Sequence, residues 1–466
     1  MGNYLYAPHV YRFAYHLQIE QFNYSWLQTQ CQQILAEFPQ LTGKPLTFRT
    51  DSPDRLIYPC LAAGKKSRVY KSEPIVSPPQ RLSLSPQIVH DCQALEVVSR
   101  IYQKAGADAL SVEQLGAVLN PHDCLNLNSQ DDPDFIGQTL LLTAFLDASN
   151  LSDPQTLATE ALAHLLHTDG DRLPEFYRSD TLFDSPLFEF GNPRFDHRNR
   201  YLVLFYRDEP SSQKFIDYLY PNLSSLLCFY HKILYVFSGA HQDYHFAQKI
   251  RENIDVNLVN ILPLEDDANP INKVLSTAET QAFKQHLKQL LRDGIEYSRL
   301  SRNIEHSLNT LAINQANYQM ILEQWQNTSH NPLPFFQRFL TVEAKTFQAQ
   351  IQGDLTYVKL GGELLGQATN TIQGLIAIDE TERDRQLQNT IAYIGAGLGA
   401  GSLFAGSYAL KKSPQLVPLI DDLPVWSKAD PMIKCFTYSV LVGVFVAFVV
   451  WFVLQLRQRG SPQRNN

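Results

Sequence analysis

Charge is scarce in this chain, and no basic excess exists. Of 466 residues only 18% are charged, with 39 Lys and Arg against 47 Asp and Glu, a formal charge of -8 and a pI near 5.9. An acidic total excludes a global polyanion binder, because a nucleic-acid footprint needs a basic face; no nucleic-acid partner is expected. The six cysteines, Cys31, Cys60, Cys92, Cys124, Cys228 and Cys435, are scattered without a Cys-x-x-Cys pair. They read as free thiols in a reducing compartment, not as a disulfide framework. The start, MGNYLYAPHVYRFAYHLQ, lacks the basic and apolar regions of a signal peptide. It also fails as a myristoylation signal, since position 6 is Tyr6 and not Ser or Thr. The N-terminal part is therefore expected in the cytosol. No internal repeat is found. What the chain does have is length and apolar content: 44% hydrophobic and 11% aromatic residues exclude a wholly disordered chain and predict two or three domains. Mean hydropathy is -0.22, so any membrane part must be local.

Long apolar runs occur twice, both near the C-terminus. The first, residues 391–410, IAYIGAGLGAGSLFAGSYAL, holds no charge; the second covers 436–456 and is more apolar. Each has the roughly 20 residues that a bilayer crossing needs. Gly395, Gly397, Gly399 and Gly401 superficially resemble a phosphate cradle, but no strand precedes them and no Lys-Ser/Thr follows. Spaced four apart, and with Gly406 beyond, they give small-residue faces on which membrane helices pack closely. Trp451 followed by Arg457, Arg459 and Arg464 suits a cytosolic interface. The two segments are expected to form a transmembrane hairpin, with the bulk of the chain and a basic tail, 457–466, both cytosolic.

Residues 1–270 read as mixed α/β. Tyr11–Leu17, Pro186–Phe190 and Arg200–Asp208 are strand candidates, the second followed by a Gly191-Asn192-Pro193 turn. Asp153–His167 reads as a helix with an acidic start, Ser211–Phe237 as an aromatic-rich helix broken near Pro221, and His241–Ile254 as a further helix. Ser77–Pro86 reads as a Pro/Ser-rich linker and Asn120–Asp134 as a polar loop. From 271 to 390 the texture is helical. Phe283, Leu287, Leu290, Gly294, Tyr297, Ser301, Ile304, Leu308, Leu311, Gln315, Tyr318, Leu322 and Trp325 step by four and three as a heptad seam. A break at Asn331-Pro332-Leu333-Pro334 precedes a second seam from Leu340 through Ala344, Phe347, Ile351, Asp354, Val358, Gly361 and Leu365 to Leu375. Helix-interior glycines cost about 1 kcal/mol each against alanine. Gly353, Gly361, Gly362, Gly366 and Gly374 therefore mark either close packing or a hinge.

This layout resembles the CorA-like family of two-span divalent-cation channels. Thr381-Glu382-Arg383-Asp384-Arg385 with Gln386-Leu387-Gln388-Asn389-Thr390 is similar to that family's polar helix before the pore, and Phe404-Ala405-Gly406-Ser407-Tyr408 to the end of its first span. The family's Gly-Met-Asn signature is replaced by Ala409, Leu410 and Lys411. In the family that Asn meets a hydrated cation, and a Lys in its place would repel one. The resemblance implies a homo-oligomer in a lipid bilayer, with Ser402, Ser407, Tyr408, Ala409, Leu410 and Lys411 as pore or selectivity candidates.

Outside that region, His164 and His167 with Asp169, and His241 with His245, have metal-pair spacing but no His-Glu-x-x-His pattern and no identifiable third ligand. Asp131-Asp132, Glu265-Asp266-Asp267 and Asp421-Asp422 are acidic clusters, read either as solvated loops or as cation-sensing groups. Ser212 and Cys228 have no base partner in a recognisable motif.

The expected fold is thus an α/β cytosolic domain, long coiled-coil-like helices and a two-helix transmembrane hairpin, in an integral multi-pass membrane protein. Two functions stay open: an oligomeric ion channel or transporter with altered or lost Mg²⁺ selectivity, and a membrane-tethered sensor or interaction protein without transport, binding a protein partner. No enzymatic activity and no cofactor are expected; a divalent cation has no direct motif support.

Overall fold

In a computed structural model the described residues are 3–18, 23–50, 57–72, 79–101, 109–127, 132–146, 153–168, 172–194, 198–261, 277–329 and 333–379. They contain β1 (Tyr4–Leu17), α1 (Ser25–Ala36), β2 (Leu41–Thr42), β3 (Ile57–Pro59), β4 (Arg68–Ser72), β5 (Gln80–Val89), β6 (Cys92–Ile101), β7 (Ala109–Ser111), α2 (Leu115–Leu119), β8 (Phe135–Leu146) and α3 (Pro154–Leu165). These are followed by β9 (Phe176–Leu182), β10 (Ser185–Phe190), β11 (Asn199–Tyr206), α4 (Glu209–Lys214), α5 (Tyr220–Ile261), α6 (Thr277–Ser329), α7 (Pro334–Arg338) and α8 (Lys345–Asp379). The chain divides into two units: Met1–Lys249 with Leu300–Leu360, and Ile250–Arg299 with Gly361–Asn466.

The first unit is built on an open sheet of order β2-β4-β5-β6-β1-β8-β11-β10-β9, with β3 added on β5 and β7 on β1. Neighbours are antiparallel except β8 and β11. In the middle lies β1, whose side chains alternate between two buried faces. Arg12 points to the α1 side, where its Nη2 donates to Gln30 Oε1 at 3.2 Å. Leu27, Cys31 and Ile34 of α1 share a core there with Leu115 and Leu119 of α2 and Leu157, Ala161 and Leu165 of α3. Tyr11 and Tyr15 face α5 and the helical turn before it: Tyr11 meets Phe215 and Tyr220 edge-on, and Tyr15 donates to the Ser224 carbonyl at 2.7 Å. Asp153 accepts from Thr156 N, which starts α3 as its sequence predicts.

Three local expectations change. Ser77–Pro86 is not a linker from Gln80 on, because Leu82, Leu84 and Ile88 alternate inward and make β5. Pro86 is tolerated beyond the stretch that pairs with β4. Pro221 does not break its helix. A π-helical turn, Phe215–Leu219, precedes it, so the missing N–H falls where the ladder is already shifted. His241–Ile254 is not a separate helix but part of the 42-residue α5.

The heptad seams appear as α6 and α8. Leu287, Leu290, Tyr297, Ile304, Leu311, Tyr318, Leu322 and Trp325 are buried, as are Leu340, Phe347, Ile351, Asp354 and Val358. In the second unit Gly361 lies under the Tyr297 ring and Gly294 against Leu365, which supports close packing as the reason for those glycines.

No helix among the described residues is long and apolar enough to cross a membrane. The long helices bury one stripe and carry charge along the rest, as in Lys288, Arg292, Glu296 and Arg299 of α6 and Lys345, Lys359 and Glu363 of α8. A span needs roughly 20 mostly apolar residues on every side. The expected α/β domain with a transmembrane hairpin is therefore corrected to an open mixed sheet with long amphipathic helices, and the integral, multi-pass membrane placement is withdrawn with it. The segments 391–410 and 436–456 lie outside the described residues.

Two outcomes follow from the packing of β1 and β8. At Gly137, where φ is 157°, an added Cβ would stand 2.4 Å from His231 Nδ1 and 2.8 Å from the Arg198 carbonyl. Gly137→Ala should cost about 1–3 kcal/mol, read as a lowered urea midpoint with an unchanged slope. His9 is held at a pKa of about 4 by burial and by Arg100, against an ordinary 6.5. The unfolded chain takes up that proton first, so the neutral ring stabilises the fold above pH 6.5, and that contribution is lost as pH falls towards 4. His9→Gln should flatten the loss of stability across this window, by up to about 3 kcal/mol.

Candidate functional site

Among the described residues one trio of metal-ligating side chains converges: His16, Asp132 and Asp134 have ligand atoms within 4.8 Å of one another, all partly buried. His16 comes from the last turn of the β1 ladder, just past a register shift between Tyr15 and His16 that re-aims the side chain. Asp132 and Asp134 sit in the turn that opens β8. That turn is held by its own bonds: Asp134 N donates to Asp132 Oδ1 at 3.0 Å, and Leu17 N donates to the Asp134 carbonyl at 2.8 Å. Arg198 Nη1 and the Tyr235 hydroxyl donate to the carbonyls of Asp132 and Pro133, at 3.2 and 3.1 Å. Neither bond uses a carboxylate oxygen.

The imidazole chemistry follows from one contact. His16 Nδ1 lies 2.8 Å from the Leu17 carbonyl, which can only accept, so Nδ1 carries the hydrogen. In a neutral ring Nε2 then presents a lone pair, and it faces Asp132 Oδ2 at 3.3 Å. A lone pair against a carboxylate is repulsive. The pair becomes attractive when Nε2 is protonated or when a cation lies between the two groups. Two ligands at ~2.1 Å from one ion stand about 3–4 Å apart, which is the spacing seen. A backbone carbonyl on the second ring nitrogen is also the usual outer partner of a metal-binding histidine. The ring is stacked on Trp26 of α1 at 5.1 Å between centroids, so its orientation is fixed from the side as well. One nitrogen and two carboxylates suit Mn²⁺, Fe²⁺ or Zn²⁺ better than Ca²⁺ or Mg²⁺, which prefer oxygen throughout.

A second charged cluster is buried around Glu189. Glu189, buried on β10, takes Arg178 Nε at 2.5 Å and Arg200 Nε at 2.6 Å. The Tyr177 hydroxyl donates to Glu343 Oε1 at 3.1 Å, and Arg178 donates to the Phe335 carbonyl at 3.3 Å. The Arg200 guanidinium lies 4.0 Å over the Tyr230 ring. The network clamps β9–β11 to the segment preceding α8, and Arg338 Nε adds a third cation 3.9 Å from Glu343 Oε1. Glu189→Ala should strand two buried guanidinium groups and cost about 3–5 kcal/mol, measured as a fall in unfolding free energy.

The sites expected from sequence fare differently. Ser402, Ser407, Tyr408, Ala409, Leu410 and Lys411, and the glycines 395, 397, 399, 401 and 406, lie outside the described residues, as do Asp131, Asp169 and the other two acidic clusters. His167 Nε2 is engaged with the Asn120 carbonyl at 2.8 Å and does not converge with His164. The Ser212 hydroxyl donates back to the Glu209 carbonyl, and Cys228 is fully buried. His241 and His245 do meet, their Nε2 atoms 3.0 Å apart. His16 and Asp134 were missed as ligands. The only sequence signals were a strand ending in His and an acid-rich loop, with nothing to join them. No protein-family model matches the chain, and neither does any curated protein or solved structure.

Proposed function

We propose that the chain is a sensor or interaction protein without catalytic activity, whose control point is a divalent cation held by His16, Asp132 and Asp134. The observation that carries this reading is the convergence of His16 Nε2, 3.3 Å from Asp132 Oδ2, with the two carboxylates within 4.8 Å of one another. An ion there would join the end of the central strand to the opening turn of β8, and through Trp26 would reach α1. Occupancy would then be felt in the middle of the sheet rather than in a peripheral loop. A partner role falls to the long helices, where Ile313 and Met320 on α6 and Tyr357 and Leu360 on α8 are exposed apolar side chains. Self-association or a helical protein partner would cover them.

Titration of the full chain with Mn²⁺, followed by calorimetry and by electron paramagnetic resonance of free Mn²⁺, tests the reading. Wild type should bind one Mn²⁺ that Asp132→Asn and Asp134→Asn each weaken by about tenfold or more. Unchanged affinity in both variants would refute it.

A further inference from the structure

We propose that the cleft between α1 and residues 46–50 binds an extended, acidic peptide, which adds to the chain as a strand. The whole cleft lies in the first unit. The inference does not depend on a cation at His16 or on the exposed side chains of the long helices.

The argument starts from a backbone edge. Phe48 and Leu61 form an isolated antiparallel bridge. Its two bonds run from Arg49 N to the Cys60 carbonyl and from Ala62 N to the Thr47 carbonyl, both at 2.8 Å. In an antiparallel pair the backbone groups of successive residues point to opposite edges. Residues 47 and 49 therefore face 60–62, and Phe48 turns its N–H and C=O the other way. Among the described residues no hydrogen bond reaches either group. Tyr24, just before α1, stacks on the Phe48 ring at 6.0 Å between centroids and ties the segment to the start of that helix.

A cleft of about 600 Å³ lies beside this segment, within the usual range of ligand sites. Tyr24, Gln28 and Gln32 line it on one side and residues 46–50 on the other, while none of residues 60–62 does. Gln28 and Gln32 are exposed and one helical turn apart. Neither carboxamide has a hydrogen-bond partner among the described residues. A strand laid in the cleft has two edges to satisfy. Phe48 offers a donor and an acceptor to one edge, and each glutamine offers both to the other. The spacings agree: residues i and i+4 rise ~6.0 Å along a helix, and a strand repeats its edge groups every ~6.7 Å. A compact ligand has no such repeat, whereas an extended peptide gains main-chain bonds on both sides. Charge then selects among peptides. Among the described residues Arg49 is the one charged member of the lining. Its Nη1 donates to the Pro59 carbonyl at 3.4 Å, and its guanidinium lies 5.6 Å from the centre of the Tyr58 ring. A cation in the wall favours an acidic peptide over a basic one.

Fluorescence polarisation of a fluorescein-labelled Val-Glu-Val-Glu-Val amide, titrated with the full chain in the presence of EDTA, tests the site. Wild type should bind the peptide saturably. Gln28→Ala/Gln32→Ala should weaken binding by about tenfold or more, the loss expected for two hydrogen-bonding side chains. Both glutamines are exposed, so the fold should survive, with unchanged far-ultraviolet circular dichroism as the control. The same peptide N-methylated at alternate residues lacks the N–H groups of one edge and should lose affinity by a similar factor. A Val-Lys-Val-Lys-Val amide should bind more weakly than the acidic peptide, by a margin that shrinks in Arg49→Gln. Absence of binding to wild type, or wild-type affinity in the glutamine variant or for the N-methylated peptide, would overturn the site. Equal affinity for the acidic and basic peptides would overturn the choice of an acidic partner.

Discussion

The burial of β1 on both faces is the constraint on which the rest depends. A strand alternates its side chains, so a one-residue slip would carry the Tyr11 and Tyr15 rings to the α1 side and Arg12 to the α5 side. The nine pairs with β6 and the longer ladder with β8 fix the register against that slip. With the register fixed, the α5 face takes the aromatic rings and the α1 face takes the aliphatic core, and His16 emerges where the ladder ends. The position of the proposed cation site is therefore a property of the middle of the sheet.

Two buried or half-buried charge clusters meet the same electrostatic demand in different ways. Around Glu189 two guanidinium groups share one carboxylate, and aromatic rings cover the Arg200 guanidinium. At His16 one ring nitrogen is bonded to the Leu17 carbonyl and the other faces a carboxylate, with a second carboxylate close by. Ligand chemistry is assigned to the His16 cluster because its donor atoms converge from two elements.

Much of the helical architecture was legible in the sequence, because heptad spacing is a local signal that survives in any context. The seams from Leu287 to Trp325 and from Leu340 to Leu365 appear as buried stripes. Proline misled the reading of strands: Ala7 and Pro8 sit in a bulge of β1, so only Tyr11–Leu17 looked regular, and Pro86 hid β5. The apolar runs at 391–410 and 436–456 lie outside the described residues, and the long helices that are described carry charge along their exposed faces. The His16 cluster was not legible at all. Its members stand more than a hundred residues apart, and only the pairing of β1 with β8 joins them. The spacing of His241 and His245 was visible in the sequence, and their rings do meet.

The central claim is that the end of β1 and the turn before β8 hold a cation between them. A crystal structure of the full chain soaked in Mn²⁺, with anomalous diffraction data, tests it directly. The account predicts an anomalous peak bonded to His16 Nε2 and to carboxylate oxygens of Asp132 and Asp134. Density showing His16 Nε2 joined to Asp132 by a direct hydrogen bond, with no peak at that place under saturating Mn²⁺, would contradict it.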